Sequence, residues 1–202
     1  MTAADVKTTE AGGETRLAIL SRDGGWHRYL LARIWDPSPA AALLVWIMLN
    51  PSTADHERDD PTVRRCAGFA RRLGYGGIAV ANLYSYRATD SRELGAVVAR
   101  TGSTLALADH RTDDNLRDLL GGKLWPGRPR RVLAAWGGAY GGELPVQWHA
   151  ARVRAVRQLA AAAGASLWCL DVTAAGDPKH PLARGRGRIA DDAQPAPWPV
   201  GS

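Results

Sequence analysis

The sequence predicts a three-layer α/β/α domain: a central sheet of four parallel strands, helices on both faces, and an N-terminal strand or hairpin added to it. Three observations carry this. Residues 41–49 (AALLVWIML) and 78–83 (IAVANL) are almost continuously apolar, as strands buried on both faces are. Between them Val63, Cys66, Ala67, Ala70 and Leu73 recur at helical spacing. The strand–helix alternation then repeats toward residue 170, the pattern of a parallel sheet covered on both sides.

In chain order, residues 1–15 are polar and aperiodic and read as a disordered N-terminus. Residues 26–35 (WHRYLLARIW) are rich in aromatic and branched side chains and read as a strand, broken by Asp36-Pro37-Ser38-Pro39. After the apolar run 41–49 comes a polar segment, 50–60, and then a helix with Asp60 as its cap and Pro61 at its first position. Residues 78–83 form the second buried strand. Helical patterns follow, weakly at 92–99 and more firmly at 104–120. Residues 131–136 (RVLAAW) read as a third strand, 146–163 as an Ala-rich helix and 166–170 (SLWCL) as a fourth strand. The expected division is therefore a single domain over 16–190 with an extended tail at 191–202.

The chain has 202 residues, 46% hydrophobic and 23% charged, which suffices for a core without disulfides. Its two cysteines, Cys66 and Cys169, fall in a helix and a strand and read as buried thiols. No cationic-then-apolar leader opens the sequence, and the longest apolar run is about half of what a membrane span needs. A cytoplasmic monomer without membrane attachment is expected. The net charge of +6 permits a polyanionic partner without requiring one.

Ligands of open parallel sheets bind beyond the carboxyl ends of the strands. There the sequence places Asn50-Pro51-Ser52-Thr53-Ala54-Asp55, Asn82-Leu83-Tyr84-Ser85-Tyr86-Arg87, Trp136-Gly137-Gly138 and Lys179-His180-Pro181. Each has a plain structural reading as well. Asn50 shapes a turn before Pro51, or holds a reactant. Asn82 staples a loop, or reads a ligand. His180 decorates a surface loop, or donates to a developing charge. Asp59-Asp60 is explained by helix capping, and no His or Cys cluster accompanies it, so no metal is expected. Ser52 lacks a nucleophile-elbow context, and neither type of glycine-rich phosphate loop occurs.

Taken together, these strand ends resemble the uracil-DNA glycosylase superfamily. Ile47-Met48-Leu49-Asn50-Pro51-Ser52 is similar to the G-I-N-P-G motif of the mismatch-specific branch. The segment from Ala81 to Arg87 is similar to T-N-x-V-K-x-R-P, and that from Val132 to Gly137 to V-x-x-x-L-G. His180-Pro181-Leu182 matches the first two residues of H-P-S. Ser52 replaces a glycine and Leu182 a serine, the usual apolar wedge is replaced by Arg-Gly repeats, and the cysteines of an iron–sulfur cluster are absent. The segments LNPSTAD, DDPTVRRC, the N-L-x-x-x-R-A-T-D stretch, AWG and KHPL also closely resemble those of a bacterial family, a resemblance that brings no activity with it.

The superfamily resemblance implies a uracil-DNA-glycosylase-like fold and hydrolysis of an N-glycosidic bond, releasing a damaged or modified base from DNA in base-excision repair. It requires no cofactor. In that reading Asn50 positions water, Asp55 assists as a carboxylate, and His180 donates to the departing base. Asn82 reads the base edge, and Tyr84 or Trp136 stacks on the ring. Pro51, Ser52, Gly137 and Pro181 bring backbone close to the substrate. Lys179, Arg184, Arg186, Arg188 and Arg87 hold DNA phosphates. Two alternatives remain open: an N-glycosidase for free nucleosides or nucleotides, and a non-catalytic binding module on the same fold.

Overall fold

A computed structural model describes residues 4–138 and 144–198 of the chain. Its centre is a sheet of eight strands in the order β1-β2-β3-β5-β4-β6-β7-β8. The strands are β1 (Ala4–Ala11), β2 (Glu14–Ser21), β3 (Arg28–Ile34), β4 (Leu43–Met48), β5 (Gly77–Asn82), β6 (Arg130–Ala134), β7 (Leu167–Cys169) and β8 (Ala196–Pro197). The four predicted parallel strands are β5, β4, β6 and β7, and they pair in parallel. They are the middle of a larger mixed sheet rather than a sheet of their own, because antiparallel strands extend both edges.

Two sequence expectations are corrected here. Part of the segment read as disordered is a strand: Ala4–Ala11 pairs with Glu14–Ser21 along its whole length. Its polar side chains are those of an outer strand exposed on both faces, which composition alone does not separate from disorder. Part of the segment read as a loose tail is docked. Ala196–Pro197 pairs with β7, and Trp198 stands edge-on against Trp136 at 5.0 Å between ring centres.

Among the described residues four helices cover the sheet: α1 (Pro61–Arg72), α2 (Arg92–Thr101), α3 (His110–Leu120) and α4 (Val146–Ala162). The segment 104–120, expected to be one helix, is a 3-10 turn at Thr104–Ala106 followed by α3, with Asp109 as the α3 cap. The cap re-initiates the chain because its side chain satisfies the Thr112 N–H that a continuous helix would bond internally. Alternation along β4 and β5 sorts the core into two clusters. Leu44, Trp46, Ile78 and Val80 pack with α1. Val45, Ile47, Ala79 and Ala81 pack with α2, α3 and α4. Gly77 is required where β5 passes between β3 and β4, since a Cβ there would lie 2.7 Å from the Arg33 carbonyl oxygen.

The alternation is broken once, on β3. Ile19 pairs with Leu30 but Leu20 pairs with Arg28, so Tyr29 is an extra residue. A slip of one residue turns the following side chain to the other face. Arg28 therefore joins Arg33 on the α1 side, while Tyr29 donates to Asp109 at the start of α3.

Arg33 is 1% exposed and fully engaged. It binds Asp59 at 2.8 Å and the carbonyls of Ala32 and Asp55. Asp59→Ala is expected to destabilise the fold by about 2 kcal/mol in urea denaturation, because the buried guanidinium loses its main counter-charge while Glu14 and the carbonyls still hold it. A change within experimental error would show that the carbonyls alone suffice.

Candidate functional site

The segment between β4 and α1 has no regular structure, so its carbonyls need partners from elsewhere. Arginines supply them. Arg87 donates to Ser52 and Thr53, Arg28 to Ala54, Arg33 to Asp55 and Arg16 to Glu57. The loop after β5 is joined to the same segment, because the Ala88 N–H bonds the Pro51 carbonyl at 2.9 Å. Asn50 completes this join: its Nδ2 donates to Pro51 at 3.0 Å and to Ala88 at 2.8 Å. Both amide hydrogens are thereby committed, and Oδ1 is the atom left as an acceptor.

Asn50 lines a cleft of about 390 Å³ together with Arg28, Ser52, Asp60, Thr62, Trp136, His180 and Arg184. The cleft lies where the ends of β4 and β6 meet the N-terminal turn of α1. The loop carrying His180 is tied to the β6 end by the Gly137 N–H, which bonds Pro178 at 2.8 Å. Gly137 holds φ at 81°, a left-handed turn that explains glycine there. In His180, Nδ1 accepts from the Leu182 N–H at 3.2 Å, which leaves Nε2 as the protonated, donating nitrogen. Burial lowers the His180 pKa below 6.5, against a smaller opposing pull from Asp60. At neutral pH the cleft therefore holds a neutral imidazole.

Thus Asn50, Ser52, Trp136, His180 and Arg184 come together, and other expected members do not. Asn82 is 3% exposed and is not part of the cleft wall, although it pairs in register with Met48, which is. Neither polar atom of its amide has a hydrogen-bond partner among the described residues. Tyr84 lies two residues beyond Asn82 yet packs in the α2–α4 cluster and lines a separate hollow of about 270 Å³ with Asp113, Trp148 and Arg152. Trp136 is 1% exposed and offers the cleft only its margin. Asp55 turns back into its own loop. Burial alone would raise its pKa, but the Glu57 and Arg58 amides outweigh that and hold it below the usual value.

Three of the five cations expected to bind phosphate are already paired within the chain. Lys179 pairs with Asp171 at 2.5 Å, Arg188 with Asp191 at 3.2 Å, and Arg87 with loop carbonyls. Arg184 and Arg186 are exposed with no ion pair among the described residues. Pro181 is buried, so it shapes the loop rather than meeting a ligand.

Sequence reasoning missed Arg28 and Thr62, and it recognised Asp60 only as a cap. The Asp60 carboxylate does cap α1, accepting from Val63 at 2.8 Å, and it also lines the cleft. The available signal for Arg28 was a cation inside an apolar strand run, an arrangement that folded proteins rarely tolerate without a use. Among the described residues no three His, Cys, Asp or Glu side chains gather as a metal site would need, and no helix is long and apolar enough to cross a membrane.

Two measurements follow from this geometry. Asn82→Leu should raise stability by about 1 kcal/mol in chemical denaturation, since it removes a buried amide whose polar atoms are unpaired; a loss of stability would mean the amide has a structural partner. The His180 ring should titrate with a midpoint below 6.5 by NMR, and a midpoint above that value would put a charged imidazole in the cleft.

No curated protein and no solved structure matches the chain. The profile of one family, described as protein of unknown function (DUF1643), matches residues 28–182. That stretch runs from Arg28 through Leu182 and takes in every cleft residue named above except Arg184, and the chain belongs to the DUF1643 family.

Proposed function

We propose that the cleft hydrolyses the N-glycosidic bond of a free nucleoside or nucleotide. The observation that carries this reading is the pairing of Asn50 and His180 across one hollow. One contributes a fixed carbonyl oxygen, the other a neutral N–H donor.

Glycosidic cleavage builds positive charge on the sugar and negative charge on the leaving base. The Asn50 Oδ1 accepts a hydrogen bond from a water and turns its lone pair toward the anomeric carbon. As the carbon–nitrogen bond breaks, its electron pair leaves with the base, and His180 Nε2–H donates to the base oxygen where that charge gathers. The water's proton passes to the Asp60 carboxylate, which shares the cleft, rather than to Asp55. A cleft volume of a few hundred Å³ is in the range of small-molecule sites.

Small substrates are favoured over DNA because Lys179 and Arg87, two of the cations expected to hold a DNA backbone, are partly buried and bonded within the chain. A second reading, release of a modified base from DNA, draws its support from the exposed Arg184 at the cleft rim and from Arg186, exposed two residues further along the chain. Salt separates the two readings, since binding to a polyanion weakens steeply with added salt and binding of a nucleoside does not.

The test is mass-spectrometric detection of released base from a panel of nucleosides, nucleotides, and oligonucleotides carrying deaminated, oxidised or methylated bases. Asn50→Ala should lower release about 100-fold or more with little change in substrate binding. Wild-type rates in that variant would remove Asn50 from the chemistry. Release should also fall as pH drops through the lowered His180 pKa, below 6.5, and stay level above it. This follows because protonation of Nδ1 breaks the Leu182 bond that orients the ring.

A further inference from the structure

Two arginines on β3 are equally buried, and the fold treats them in opposite ways. Arg33 meets Asp59, Glu14 and several carbonyls. Arg28 is 2% exposed, and its side chain has a single hydrogen bond among the described residues, from Nη1 to the Ala54 carbonyl at 2.7 Å. Its Nε is sealed from solvent with no partner, and no carboxylate lies within ion-pair distance among the described residues. Burial pulls its pKa down to about 10, with Arg87 and Arg33 adding to that pull and Asp60 opposing it. Even so, the group remains a cation at neutral pH. A buried charge with no carboxylate in contact is costly, and a bound anion would offset that cost.

The surroundings of Arg28 in the cleft are suited to an anion. Pro61 and Thr62 begin the 12-residue helix α1, whose first turn holds no acidic residue beyond the cap. Thr62 lines the cleft, and as a residue of the first helical turn it has a backbone N–H without an acceptor inside the helix. The positive end of the helix dipole is directed to the same place. Arg184 stands at the rim, and Ser52 and Thr89 also line the cleft. Among the described residues Asp60 is the one carboxylate on the cleft wall, against two guanidiniums and the helix end.

We propose that Arg28 and the N-terminal turn of α1 form a subsite for the terminal phosphate of a nucleoside monophosphate. The assignment rests on the nucleobase reading of the same cleft, to which it adds that the substrate is phosphorylated. A terminal phosphate fits better than a backbone phosphodiester. A diester has chain on both sides, and both would have to descend to a guanidinium that is 2% exposed. A monoester needs only one way in. At neutral pH it carries nearly two charges for the fork of Arg28 to receive.

The test is calorimetric binding, without turnover, of inorganic phosphate, nucleoside monophosphates, the matching nucleosides, and an oligonucleotide lacking terminal phosphates. Wild-type protein should bind monophosphates at least tenfold more tightly than nucleosides, and inorganic phosphate should compete. Arg28→Gln should erase the preference. Arg28→Lys keeps the buried charge and so protects the fold, and it should retain part of the preference because a lysine lacks the planar fork.

Equal wild-type affinity for nucleoside and monophosphate would overturn the subsite whatever the variants do. So would an unchanged preference in a folded Arg28 variant, or Arg28-dependent binding of the oligonucleotide as tight as that of a monophosphate. Arg28-dependent phosphate binding with no base released leaves the subsite standing and removes the glycosidase. Base release with no phosphate preference does the reverse.

Discussion

The structure depends on a set of arginines holding one irregular loop. Residues 50–60 leave the end of β4 and reach α1 without forming strand or helix, so their carbonyls have no ladder to satisfy them. Arg16, Arg28, Arg33 and Arg87 reach that loop from β2, β3 and the β5 loop. A guanidinium suits this work because its several N–H groups can bond more than one carbonyl from a fixed plane. The loop so held carries Asn50, Ser52 and Asp60 into the cleft, and the orientation of the Asn50 amide follows from the same network.

The same commitment of arginine governs what the protein's charge means. A net charge of +6 permits a polyanionic partner. Part of the cationic charge faces inward instead. Arg33 and Arg128 are buried against a carboxylate or carbonyls, while Arg71, at the surface, pairs with Glu14 and rests on Trp35. Charge that is neutralised inside the fold attracts no distant partner. What remains directed at a ligand is local: the buried Arg28, and Arg184 at the rim.

The order of elements was legible in the sequence because each rests on short-range chemistry. The runs at 41–49 and 78–83 are apolar on both faces since both faces are covered, and Asp60-Pro61 begins a helix for reasons contained in those two residues. The capping carboxylate at Asp109 was equally local, and it divides a region whose overall helical pattern hid the break. The outer strand β1 was not legible, because a polar strand owes its existence to a neighbour rather than to its own composition.

The site divides along the same line. The sequence by itself determined that polar residues stand at the ends of four strands, and that Asn50 and His180 are among them. Only the tertiary structure decided which of these share a hollow. Asn82 is packed behind the cleft wall, Tyr84 belongs to the opposite face, and Asp55 bonds its own loop. Arg28 enters through an extra residue on β3, a departure from alternation visible only in the pairing with β2. Strand ends are specified by local pattern, but the direction of a side chain depends on twist, bulge and the neighbours that enclose it. Those are properties of the assembled sheet.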